Sequence, residues 1–311
     1  MSVRLFVLLA RDADVGVVFR RGPSKQVLLL RWNLKNDAFE AGQWLKARIY
    51  ERRCDLSPSG DRLVYFAASY RGPYQTWTAV SRPPYLTALA LWPKGDAWGG
   101  GGLFSSENEL LLNHPPTQVA LAEGFSLPRN FKLGAMSTAG AGEDSPIFDK
   151  QSRRDGWELV QEGTWKERSR TERIWWRVDP PEIWAKAHPH KSVRVRLLRQ
   201  TEGVHEKDGP WYVTSYRLAV DGGGPGRDLG RTDWADWSSR GDLLFARDGK
   251  LFRLAMKSRT AFDVNASPRE LIDLTPMSFE AHEAPPTARK WSGSAPSGRA
   301  VGHGARKGRA R

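Results

Sequence analysis

Trp237-Ser238-Ser239-Arg240-Gly241-Asp242-Leu243-Leu244-Phe245 matches Leu56-Ser57-Pro58-Ser59-Gly60-Asp61-Arg62-Leu63-Val64 without a gap, and an aspartate, Asp236 or Asp55, precedes each. Phe104-Ser105-Ser106-Glu107-Asn108-Glu109-Leu110-Leu111-Leu112 repeats the order: an apolar anchor, Ser, a polar turn with Gly or Asn, an acidic residue and an apolar run. The pattern reads as strand, tight turn, strand. Ser57, Ser105 and Ser238, with Asp55, Asp61, Asp236 and Asp242, are assigned to fixing the turns through bonds to nearby backbone. Gly60 and Gly241 supply the positive φ that other residues resist.

The anchors stand at 56, 104 and 237, intervals of 48 and 133, and 133 is close to three units of 44. Two degenerate copies are therefore expected between them. Near 148, Phe148 is followed by Arg154-Asp155-Gly156-Trp157-Glu158-Leu159, a turn into a strand. Near 193, Val193-Arg194-Val195-Arg196-Leu197 alternates with period two. Upstream, Leu5 to Leu9, Val15 to Arg20 and Val27 to Trp32 read as short strands. Downstream, Leu243 to Ala246 and Leu251 to Leu254 flank Asp248-Gly249, a hairpin signal.

The two best copies resemble the repeat of TolB-like and related WD-repeat-like propellers. That family has Pro and Asp after the Ser; here Pro58 is kept with Ser59 in the Asp place, and the second copy has Ser239-Arg240. The resemblance implies an all-β fold, a β-propeller of five or six four-stranded blades. It further implies a ring closed by N- and C-terminal strands, with Leu5 to Leu9 pairing near Leu271 to Phe279, because closure removes exposed sheet edges. The propeller is assigned to residues 1–286.

Residues 287–311 are assigned to a disordered basic tail, rich in Gly, Ser and Ala. They hold seven Lys and Arg and no acid; subtracting those seven from the net +13 leaves +6 for the body. The lone cysteine, Cys54, has no intramolecular disulfide partner. Without a signal-peptide core or an apolar run of membrane-spanning length, the expected setting is the cytoplasm, away from any membrane.

His188-Pro189-His190 with His205 lacks a ligand spacing and reads as a solvated loop, so no metal is expected. Asp55 and Asp236 have the chemistry of a hydrolase's paired acids, but equivalent repeat positions recur around a ring rather than converge, which favours turn stabilisation. Trp98-Gly99-Gly100-Gly101-Gly102-Leu103 lacks the Lys and Ser/Thr of a phosphate loop and is assigned to a flexible turn between blades. The fourteen tryptophans suit packing between blades better than a carbohydrate site.

The candidate recognition surface is Trp165, Arg168, Arg170, Arg173, Trp175, Trp176 and Arg177, joined by Arg194, Arg196 and Arg199, since arginine beside aromatics suits phosphates and stacked bases. A solvated strand face accounts for Arg194 and Arg196 equally well. The resulting expectation is a monomeric, non-catalytic binding or scaffolding propeller that presents loops to a partner protein and needs no cofactor. Two alternatives stay open: a hydrolase acting at the central channel, and nucleic-acid association through the tail and the Arg/Trp surface.

Overall fold

Leu63-Val64-Tyr65-Phe66-Ala67-Ala68 is buried along its whole length, and its neighbours show why. Leu63, Tyr65 and Ala67 enter one apolar cluster while Val64 enters another. A strand covered on both faces cannot alternate apolar with polar, so it reads as a continuous apolar run.

The computed structural model describes residues 3–22, 25–137, 140–258 and 261–291. Their strands form five sheets, each made from one contiguous stretch of chain. Sheet 1 is an antiparallel meander of β1 (Arg4–Leu9), β2 (Val15–Arg21), β3 (Val27–Asn33) and β4 (Ala38–Leu45). Sheet 2 holds β5 (Arg48–Ile49), β6 (Asp55–Leu56), β7 (Leu63–Ala68), β8 (Thr76–Ser81) and β9 (Ala88–Pro93), with β5 and β6 both on β7. Sheet 3 holds β10 (Gly102–Ser106), β11 (Glu109–Leu112) and β12 (Lys132–Ala135), and its β11–β12 pair is parallel.

The one α-helix among the described residues, α1 (Ser145–Arg154), follows. Sheet 4 is β13 (Trp157–Gln161), β14 (Ile174–Ala187), β15 (Val195–Glu206), β16 (Tyr212–Val220) and β17 (Arg227–Arg231). Sheet 5 is β18 (Trp234–Trp237), β19 (Leu243–Arg247), β20 (Lys250–Leu254) and β21 (Arg269–Asp273).

The apolar clusters sit between sheets. Val17, Phe19 and Leu29 of sheet 1 pack with Leu56, Leu63 and Tyr65 of sheet 2. Val64, Val80 and Trp92 of sheet 2 pack with Phe104 and Leu110 of sheet 3. Leu103 of sheet 3 packs with Ile147 of α1, and Arg199 of sheet 4 donates to Ser152 Oγ of α1. Trp157, Trp184 and Leu197 of sheet 4 pack with Trp237 and Phe245 of sheet 5. Leu244 and Ala246 of sheet 5 pack with Leu5, Val7 and Trp32 of sheet 1.

The repeat anchors Leu56, Phe104 and Trp237 are all buried, each on the first strand of a hairpin. Gly60 and Gly241 have φ of +80° and +88°, as the turn requires. Ser57 Oγ accepts from Arg62 N–H and Ser238 Oγ from Asp242 N–H. The ungapped alignment slips after the glycine, however: Leu56 pairs with Leu63 but Trp237 with Leu243, so the first turn is one residue longer. The Asp248-Gly249 hairpin forms as expected, with φ of +53° and +75°.

Four expectations need correction. The sheets have three to five strands rather than a uniform four. The segment around Phe148 is helical, with Gly156 at φ +87° turning the chain into β13. The terminal strands do not pair: β1 pairs with β2 and β21 with β20. Asp233 Oδ2 takes the Leu5 N–H at 3.1 Å, occupying an amide on the open edge of β1. Finally, residues 287–291 belong to the fold. Thr287 C=O accepts from Arg82, Ala288 is buried, and the Trp291 ring lies 5.0 Å from that of Phe131. The rest of the assigned tail, 292–311, lies outside the described residues.

Candidate functional site

Asp55 and Asp236 reach beyond the turns that follow them, although Asp236 Oδ1 also accepts from the neighbouring Trp237 N–H at 2.7 Å. Asp55 is 1% exposed. Its two oxygens accept from Arg154 Nη1 and Nη2 at 2.7 and 2.9 Å, from the Phe104 N–H at 2.8 Å and from Gln151 at 3.0 Å. One carboxylate thus joins sheet 2 to sheet 3 and to α1. Asp236 receives Lys186 Nζ of β14 at 2.6 Å, again between sheets. Asp242 caps the Met256 N–H and pairs with Arg253, while Asp61 pairs with Arg31 at the surface. Ser105 donates to the Glu109 carboxylate beside its hairpin.

The Gly99-to-Gly102 segment is buried rather than flexible. Gly99, Gly100 and Gly101 take φ of +72°, +88° and +78° in succession. A Cβ on Gly101 would lie 2.0 Å from the Arg53 carbonyl oxygen, and one on Gly100 would lie 2.4 Å from the Phe66 ring. Buried Arg53 is held by the Ala97 and Gly99 carbonyls and by Asp144. The Gly101 N–H donates to Thr78 Oγ1, Thr78 to His114 Nε2 at 2.7 Å, and His114 Nδ1–H to the Gln118 carbonyl at 2.8 Å.

That chain of donors uses the neutral imidazole, and burial pushes the His114 pKa down to about 4. The unfolded chain therefore takes up a proton near pH 6.5 that the folded protein refuses until about pH 4. Stability contributed by this site is present above pH 6.5 and falls as pH drops toward 4. Between pH 7 and 5 the loss should be about 2 kcal/mol, at 1.36 kcal/mol per pH unit of unmatched protonation. Denaturant unfolding of wild type and His114→Gln at both values checks this: parallel changes in the two proteins would refute it.

The Arg/Trp surface divides in two. Trp175 stacks on His205 with ring centres 3.8 Å apart, and the Arg168 guanidinium lies 5.0 Å from the Trp175 ring and 4.5 Å from that of Trp176. Arg170 lies 6.0 Å from Trp175. Arg173 pairs with Glu206 at 2.8 Å, and Arg177 lies 3.8 Å from Glu172. Trp165 is 56% exposed and forms one bridge to Val178. The faces of Trp175 and Trp176 are thus engaged by their own neighbours, while Trp165, Arg173 and Arg177 stay largely exposed. Arg194 and Arg196 lie at the far end of the β14–β15 ladder, where Arg196 pairs with Ala187 in register and its side chain meets Asp221. The loop histidines are structural too: His188 and His190 contact the Gly241 and Arg240 carbonyls at 2.9 and 3.1 Å.

Elements of four sheets converge instead on a cavity of about 740 Å³. Its wall is β1, the 48–52 segment, Phe148, Gln151 and Ser152 of α1, Trp157 of β13, parts of β14 to β16, and 231–239 leading through β18. Several carboxylates of the wall are tied to cations: Glu51 to Arg21 at 2.9 Å, Asp155 to Arg154 at 2.8 Å, Asp236 to Lys186 at 2.6 Å and Glu206 to Arg231 at 2.7 Å. Burial pushes the Asp233 carboxyl up to about 7. Among the described residues no group of three His, Cys, Asp or Glu is arranged to hold a metal ion, and no helix is long and apolar enough to cross a membrane.

Of these wall residues, Arg199, Asp236 and Ser238 were among the candidates read from the sequence; the others escaped notice because they come together from segments as distant as β1 and β18. No protein-family model, curated protein or solved structure matches the chain.

Proposed function

We propose that the protein is a non-catalytic, ligand-binding β-propeller of five blades whose ligand occupies the cavity at the hub. The order of packing supports the blade reading: sheet 1 on 2, 2 on 3, α1 between 3 and 4, 4 on 5, and 5 on 1. On this reading α1 fills the gap between blades 3 and 4, and closure rests on side-chain packing rather than on a shared sheet.

The observation that carries the binding role is the cavity. Its volume falls within the roughly 300–1,000 Å³ of small-molecule sites, and its wall combines aromatic rings with many charged side chains, several of them paired with one another. A protein-docking role has less support, since the six large exposed apolar side chains among the described residues are spread over segments of sheets 2, 3 and 4. A thermal-shift screen with small molecules of different charge, followed by hydrogen exchange, tests the reading. Binding should protect β1, residues 48–53 and α1, whereas protection confined to outer strands would overturn it.

Asp233 favours one second reading, a hydrolase at the same cavity, because a buried carboxyl titrating near pH 7 is suited to general-acid work. Asp233→Asn would abolish turnover under that reading while leaving ligand binding intact.

A further inference from the structure

β15 alternates inward and outward, and Arg199 shares the inward side with Val195 and Leu197. It lies in register between Trp184 of β14 and Tyr216 of β16. A guanidinium here replaces what the pattern would fill with an aliphatic side chain. It is 5% exposed and forms part of the cavity wall.

Five arginines are buried among the described residues, and four of them have acceptors suited to their charge. Arg20 donates to four backbone carbonyls, Arg53 and Arg253 to carboxylates and carbonyls, and Arg62 to a carbonyl and an amide oxygen. Arg199 donates only to Ser152 Oγ, at 3.1 Å, and otherwise lies among the rings of Phe148, Trp157 and Trp184 at 4.5, 4.8 and 5.4 Å. Glu182 and Asp149 are the carboxylates that act on it, and neither reaches ion-pair distance. A guanidinium has five N–H donors, so protein acceptors use only a small part of its capacity.

Arg52 stands on the same wall. Its guanidinium lies 4.4 Å from the Phe148 ring and 3.5 Å from that of Tyr212, and its hydrogen bond is to Thr214 Oγ1 at 3.4 Å. It has no carboxylate partner among the described residues, and its charge disfavours that of Arg199. Two cations held together beside one ring, with Asp149 acting on both but no carboxylate at ion-pair distance of either among the described residues, make an arrangement that an added anion would relieve.

We propose that Arg199 and Arg52 form an oxyanion site that holds a carboxylate or phosphate group of a small ligand in the cavity. The proposal rests on the cavity reading above and adds the ligand's charge and its two anchors. Planar guanidiniums match both groups through paired N–H···O bonds, and the flanking rings keep the donors in place.

The test titrates the full-length protein with pyrophosphate and, separately, with citrate, against sodium chloride of equal ionic strength. Fluorescence of Trp157 and Trp184 and the melting temperature are the readouts. Saturable binding of either anion is expected, weakened about ten- to a hundred-fold in Arg199→Met and in Arg52→Gln, the range for a hydrogen bond to a charged group. Arg196→Gln, at the surface, should bind like wild type. Without anion, Arg199→Met should melt at or above the wild-type temperature, because a buried charge without an ion-paired carboxylate has been removed. A purely structural arginine would lower it.

An anion response no larger than that of chloride, or equal in wild type and both variants, overturns the proposal. Binding of a neutral ligand in the cavity, undiminished by Arg199→Met and without anion binding, overturns it while leaving the cavity reading in place. Failure of every ligand overturns both.

Discussion

Gly101→Ala should lower the melting temperature by roughly 6–12 °C, for a loss of about 3 kcal/mol in a domain of this size. Two independent costs add. An alanine held at φ +78° carries a left-handed penalty of about 1–2 kcal/mol. Its Cβ would also stand 2.0 Å from the Arg53 carbonyl oxygen, a backbone atom that cannot swing aside as a side-chain tip can. Forcing it away costs a further 1–3 kcal/mol or so, as overpacking does. The displacement would pull Arg53 from Asp144 and from the Gly99 carbonyl. Gly95→Ala is the control, with φ +85° and nothing within 4 Å of its Cβ, so it isolates the conformational penalty. Equal melting of the two variants would show that Gly101 is not pressed against Arg53.

Asp55→Ala should cost about 3–5 kcal/mol, the range for removing one partner of a buried ion pair. Three groups lose an acceptor together: the Arg154 guanidinium, the Phe104 N–H and the Gln151 amide, which keeps the Cys54 carbonyl. Arg154 keeps Asp155, which limits the loss. Asp55→Asn retains an acceptor for Phe104 and should lose clearly less, and Arg154→Met added to Asp55→Ala should recover part of the loss by removing the stranded cation. Chemical denaturation of these proteins and of the Arg154→Met single variant gives the comparison. Additive single effects would mean that Asp55 and Arg154 are not coupled.

These cases mark where the sequence could be read and where it could not. Leu243 to Leu254 announced its hairpin because Asp248-Gly249 is a local signal, complete within a few residues. Asp55 did not announce its role, since Arg154 lies 99 residues away and the match of its neighbours to Trp237-Ser238 suggested a purely local one. Helix α1 was missed for a different reason. Its buried side carries Gln151 and Ser152 as well as Ile147, so the apolar stripe that identifies a helix is broken by residues facing the cavity. Pro146 in the first turn was the legible clue.

Arg199 was legible in part. The alternation that sends Val195 and Leu197 inward sends Arg199 with them, and grouping it with Arg194 and Arg196 overlooked that parity. What no pattern in β15 could reveal was the second cation, Arg52, brought from a different sheet to the same phenyl ring.

The contiguity of each sheet has a consequence for biosynthesis. Every strand hydrogen-bonds only to strands from its own short stretch of chain, so no ladder waits for a segment made much later. A nascent chain that has reached Leu45 already contains all the strands of the first sheet. Side-chain burial, hydrogen bonds and ion pairs between sheets join the distant segments, and one such contact, Leu5 and Val7 against Leu244 and Ala246, awaits the fifth sheet. Ribosome-bound intermediates should therefore hold native hydrogen bonds while leaving one face of β1 open, which makes that face the natural client surface for a chaperone during synthesis.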